Sequence, residues 1–198
     1  MINQEKFEFI LEKYGHYASW AIWADVGEKP KSNIGDLSVF DINHNPGLLE
    51  QLNPDVIFVG LNVSRGLMED PLANFHDARP EAMDFKIRYA LRGSPFWGAY
   101  MTDIIKDFDQ KESRKVWSYL RTNKQFENEN ARLFHEEIND SVLKILIIHL
   151  RNFYQDRMYC IHVPFAYTSH PEGPFCKAVI KVVIIFGGVH SQFQKYQL

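Results

Sequence analysis

The sequence predicts an α/β domain of three layers, α/β/α, with a mainly parallel central sheet of four or five strands. Two observations carry this. Short unbroken apolar runs, residues 56–59 and 145–148, are bounded by turn residues or polar segments, the pattern of strands buried on both faces. Between and around them lie segments with helical spacing of apolar residues, and alternation of strands with helices favours a parallel sheet.

Residues 3–13 suit a short amphipathic helix, with Phe7, Ile10, Leu11 and Tyr14 near one face. Residues 18–23, rich in Trp and Ile, read as a strand. Residues 26–47 are rich in Gly, Pro, Asn, Asp and Lys and read as a long loop, with a short strand near residues 37–40. Residues 48–52 form one helical turn. Asn53-Pro54-Asp55 then punctuates the chain before the buried strand at 56–59, which ends in the turn Gly60-Leu61-Asn62. Residues 63–80 have little periodicity. Helices are expected at 81–92, 111–123 and 127–140, and further strands at 99–102, 143–148 and 159–163. The segment 176–186 fits a strand by its β-branched residues and a closing helix by its position.

The 198 residues match one domain spanning 1–198, with no internal repeat or linker. Hydrophobic residues at 45% and charged residues at 24% exclude a wholly disordered or fibrous chain. The net charge of −3 gives no global basic field, so any surface for nucleic acid must be a local patch. Two cysteines, no CxxC and no HExxH give a zinc site little support, and no metal or cofactor is expected. The polar, mixed-charge N-terminus and the absence of a long apolar stretch point to a cytoplasmic chain without a membrane partner. It is expected to be a monomer.

In open α/β sheets, ligands bind beyond the carboxyl ends of the strands. Three such segments carry polar groups: Gly60-Leu61-Asn62-Val63-Ser64-Arg65-Gly66, Thr102-Asp103, and the stretch holding Ser169-His170-Pro171. Together they resemble the uracil-DNA glycosylase superfamily, in its mismatch-specific and single-strand-selective branches. Gly60-Leu61-Asn62 matches the start of the first motif, with Val63 where the family has proline. His170-Pro171 matches the start of the last, with Glu172 where the family has serine. Phe75 stands thirteen positions beyond Asn62, about the family's distance for an aromatic residue. Asp103 falls where the family places its base-reading residue.

The resemblance implies a uracil-DNA glycosylase-like fold and removal of a deaminated or damaged base from DNA by hydrolysis, without metal or cofactor. The chemistry fits the residue types. A flipped base must be stacked and hydrogen-bonded along its edge. Phe75 supplies a ring and Asp103 an edge contact, with Gly60, Leu61 and Pro171 shaping the pocket. His170 supplies a donor for charge developing on the leaving base, worth roughly 2.7–4 kcal/mol in comparable sites. Asn62 orients the attacking water, because an amide has no useful basicity. Ser64 and Arg65 suit a phosphate contact.

Other groups read more plainly. Lys111, Arg114, Lys115, Arg121 and Lys124 are interleaved with acids and read as a solvated face. His76-Asp77 reads as a surface hydrogen bond rather than a metal pair, and His135-Glu136-Glu137 as structural. Lys86, Arg88, Arg92 and Lys177 are candidates, with Arg65, for the basic rim of the cleft. A binding module that holds a base or nucleic acid without cleaving it is the rival reading. A small-nucleotide hydrolase is weaker, for want of a Gly-rich phosphate loop.

Overall fold

The computed structural model describes residues 2–63, 69–106 and 108–141, and the backbone of residues 146–149. The strand expected at 159–163, the segment 176–186, and Ser64, Arg65, His170, Pro171, Glu172 and Lys177 lie outside the described residues.

The first helix, α1 (Gln4–Tyr14), starts where Asn3 caps it: the Asn3 side chain accepts from the Lys6 N–H at 2.9 Å. Such a cap is worth about 1 kcal/mol. Glu5 in the first turn and Lys13 in the last complement the helix dipole. Phe7, Ile10 and Tyr14 share the buried face, each stabilising by roughly 1.5–3 kcal/mol as it leaves water. Strand β1 (Ala18–Trp20) follows. The segment near residues 37–40 is a 3-10 helix, Leu37–Phe40, and not the short strand its sequence suggests. Asp36 explains the difference: its carboxylate accepts from the Ser38 N–H and starts a helical turn.

After α2 (Leu48–Gln51) comes β2 (Asn53–Asn62), then α3 (Asp84–Leu91) and β3 (Ala99–Ile105). Gly98 makes the entry to β3 possible: its φ is +81°, and a Cβ there would stand 1.8 Å from the Gln51 carbonyl oxygen. Helices α4 (Ser113–Thr122) and α5 (Lys124–Ser141) lead to β4 (Leu146–His149).

These elements make an α/β fold on a mixed sheet of order β1-β3-β2-β4. Strand β2 lies parallel to both β3 and β4, while β1 runs antiparallel to β3. Alternation along the strands sorts most of the described core into two clusters, one on each face of the sheet, with a third around Ile105, Val116 and Leu120. Trp20, Ile57, Val59 and Tyr100 pack with Phe7, Ile10 and Tyr14 of α1 and Phe134 and Ile138 of α5. Val56, Phe58, Ala99 and Met101 pack with Trp23, Ile34 and Leu91, joined by Phe75 and Phe85.

Candidate functional site

Strands β2 and β3 both run further than their apolar runs suggest. Gly60-Leu61-Asn62 is the end of β2, not a turn beyond it, and Asp103 lies within β3. Ladder pairing carries both strands into these polar residues: Gly60 is opposite Asp103, and Asn62 opposite Ile105.

Gly60 and Asp103 need one another. A Cβ on residue 60 would stand 2.0 Å from Asp103 Oδ1, so only glycine leaves room for the carboxyl. Asp103 is 5% exposed. Its Oδ2 accepts from Asn74 Nδ2 at 3.1 Å, and the same Asn74 nitrogen donates to the Tyr17 carbonyl at 2.9 Å. Burial pushes the Asp103 carboxyl up to about 6, with the Asn74 bond and the Lys106 charge acting in the opposite sense. A carboxyl that titrates near neutrality can both accept and donate there, a property common at functional sites.

The segment carrying Asn74 is held under strain. Leu72 and Phe75 have φ of 64° and 65°, a left-handed conformation that costs residues other than glycine about 1–3 kcal/mol. Anchors on both sides hold it. Leu72 N–H donates to the Gly15 carbonyl at 2.7 Å, and its carbonyl accepts from Ser19 Oγ at 2.7 Å. The Phe75 carbonyl accepts from Trp23 Nε1 at 3.2 Å, and its N–H donates to Asn74 Oδ1 at 3.1 Å. The Phe75 ring is half-buried against the cluster of Trp23, Phe58 and Met101.

His76 is a core residue, not the surface partner that its pairing with Asp77 suggests. Its Nε2 lies 2.8 Å from the Ile22 carbonyl and its Nδ1 3.0 Å from the Asn74 carbonyl. The ring stacks on Trp23 with centroids 5.1 Å apart, and burial pushes its pKa down.

Asn62 is engaged differently. Its Nδ2 donates to the Phe108 carbonyl at 3.0 Å and to the Gln110 carbonyl at 2.8 Å, tying the end of β2 to the segment that leads into α4. Leu61 packs beside Ile105, Val116 and Leu120. Gly60, Asp103 and Phe75 thus meet through Asn74, while Asn62 faces the neighbouring segment.

Arg88 does not rim a cleft. It is buried, and its guanidinium donates to the carbonyls of Ala24, Pro30 and Ser32, fastening α3 to the loop before it. Arg92 reaches Asp25 at the surface, 3.3 Å away.

Two features went unread in the sequence. Asn74 left a faint signal: an asparagine beside an aromatic in an aperiodic segment, where side-chain amides commonly replace backbone partners. The second is a buried network on the other face of the sheet. Lys106 pairs with Glu137, and its Nζ donates to Thr102 Oγ1 at 2.7 Å. Tyr100 OH donates to Glu137 Oε1 at 2.8 Å. Asn130 Oδ1 accepts from the Lys106 N–H at 2.8 Å. Nothing local marks this pairing, because the partners lie far apart in the chain.

Among the described residues, no group of three or more His, Cys, Asp or Glu side chains is placed to hold a metal ion, and no helix is long and apolar enough to cross a membrane. No family model, curated protein or solved structure matches the chain.

Proposed function

We propose that the chain is a divergent DNA glycosylase with a uracil-DNA glycosylase-like fold, three-layered with a mainly parallel sheet, that hydrolyses the N-glycosidic bond of a deaminated or damaged base such as uracil. The observation that carries this reading is the Asp103–Asn74–Phe75 arrangement against Gly60 at the ends of β2 and β3. A flipped base needs a hydrogen-bonding edge beside an aromatic face, at the carboxyl ends of parallel strands. A carboxyl with a pKa near 6 accepts from a base N–H when ionised and donates to a base carbonyl when protonated.

In this reading water attacks the sugar C1′, and the C1′–N bond breaks with its electron pair passing to the base. The water proton goes to solvent. Asn62, its amide held through Nδ2 by two carbonyls, presents its oxygen to the water in a fixed direction. Phe75 stacks the base, Asp103 meets its edge, and His170 donates to the oxygen on which negative charge grows. Ser64 and Arg65 contact phosphate, and Pro171 shapes a wall, while the Leu61 side chain packs on the other face of the sheet.

A second reading, a non-catalytic module that binds a nucleotide or nucleic acid, draws on one observation: both donors that Asn62 Nδ2 can offer are spent on loop carbonyls, as in a purely structural tie. Oligonucleotides carrying uracil, hypoxanthine or xanthine, single-stranded and paired, separate the two. Glycosylase action leaves an alkali-labile abasic site. His170→Ala then slows the single-turnover step with affinity kept, because its charge partner exists only in the transition state. Phe75→Ala weakens binding by roughly 1–3 kcal/mol. No base release from any substrate, with His170→Ala altering affinity alone, replaces the enzyme by the binding module.

A further inference from the structure

Helix α4 presents an unusual surface for a chain of net charge −3. Between Lys111 and Lys124 stand five basic residues and one acidic residue, Glu112. Lys115 pairs with Glu112 and Lys124 with Glu127. Arg114 and Arg121 enter no ion pair or hydrogen bond among the described residues, and both are exposed. Between them, one helical turn from each, Trp117 is 43% exposed. Spacings of three, four and seven residues put Arg114, Trp117 and Arg121 on one stripe, about 10 Å long.

Other exposed aromatics are engaged. Phe9 lies beneath Lys6 and Lys13, and Tyr89 sits edge-on to Phe85. Trp117 makes no ring or cation contact among the described residues. A free indole flanked by two free guanidinium groups matches what a single strand offers: unstacked bases for the ring and phosphates for the arginines.

Helix α4 is tied to the candidate site by its other flank, not by this stripe. Tyr119 of α4 stacks on Phe108 with ring centroids 4.7 Å apart, and the Phe108 carbonyl holds Asn62.

We infer that the Arg114–Trp117–Arg121 stripe of α4 is a docking platform for single-stranded DNA. The inference rests on the glycosylase reading for its choice of DNA. Of the five basic residues that read in sequence as a solvated face, two are neutralised by local pairs, and the unpaired Arg114 and Arg121 flank the tryptophan.

The test is a fluorescence-anisotropy titration of the full chain with labelled oligo-dT, its duplex with oligo-dA, and oligo-U over a range of salt. Trp117→Ala is expected to weaken oligo-dT binding about tenfold or more. Arg114→Ser/Arg121→Ser is expected to lower the slope of log affinity against log salt by about 1.4, two phosphate contacts on a single strand. Both sets of substitutions lie on the surface, so one remains informative if the other fails to fold. Wild-type affinity in both variants, no binding of oligo-dT at low salt, or tighter binding of the duplex or of oligo-U overturns the inference. Base release by wild type separates it from the enzyme reading. Absent release with the α4 losses present refutes the glycosylase and leaves the platform, while release with α4 variants behaving as wild type does the reverse.

Discussion

Asp103 and Lys106 stand three residues apart at the end of β3, both are buried, and their charges are compensated to different degrees. Lys106 is 4% exposed and faces the fully buried Glu137, the Thr102 hydroxyl and the rings of Tyr17 and Phe134, at 4.7 and 5.5 Å from its Nζ. Burial pushes its pKa down and Glu137 pushes it back. Asp103 has a neutral amide, Asn74, and the more distant charge of Lys106. A full counter-charge makes Lys106 a structural cross-link between β3 and α5. The weaker compensation leaves Asp103 near its titration point, where a buried carboxyl can do chemistry.

Removing the counter-charge probes this contrast most strongly. Glu137→Ala leaves a buried ammonium without its ion-pair partner and is expected to cost about 3–5 kcal/mol in denaturant unfolding. Lys106→Met with Glu137→Leu removes both charges and is expected to recover most of that loss. A cost below about 1 kcal/mol for Glu137→Ala breaks the assignment of Lys106 as a structural charge.

The next effect depends on pH. The Asp103 carboxyl titrates at about 6 when folded and near 3.8 otherwise. Between those values the folded chain holds a proton that the unfolded chain has given up. Raising the pH through this window therefore lowers stability, by about 3 kcal/mol in total, and above it the loss is complete. Asp103→Asn still accepts from Asn74 and does not titrate. Relative to this variant, wild type should thus lose unfolding free energy from pH 4 to pH 6 and then level off. A difference independent of pH contradicts the raised carboxyl.

A smaller effect comes from Gly60. Gly60→Ala drives a methyl into Asp103 Oδ1 and is expected to cost about 1–3 kcal/mol. The displaced carboxyl gains access to water, so the pH dependence just described should flatten in the same variant. Thermal unfolding at pH 5 and pH 7 reads both changes. An unchanged melting temperature and an unchanged pH response would mean that the close approach of Gly60 does not shape the site.

Much of the frame was legible in the sequence. The run of residues 56–59 marked β2, the spacing of Phe7, Ile10 and Tyr14 marked α1, and the apolar residues at 143–148 pointed to β4. These signals are local: period and β-branching act within a few residues. Of the candidate site, Gly60 and Asp103 could be singled out by their places after strand-like segments, and Phe75 by its spacing of thirteen residues from Asn62. Their linkage through Asn74 could not, because a side-chain amide that bridges Tyr17 and Asp103 has no periodic signature.

The sequence by itself determined where apolar surface must be buried, and so which segments become strands and helices, because burial periodicity is written in consecutive side chains. Tertiary structure alone decided how far β2 and β3 extend into polar residues, because ladder hydrogen bonds reward pairing whatever the side chain. It alone turned β1 antiparallel against β3, and it alone matched Lys106 with Glu137, thirty-one residues away. A buried charge selects its partner by distance in space, and the path of the chain between them sets that distance only after the helices have packed on the sheet.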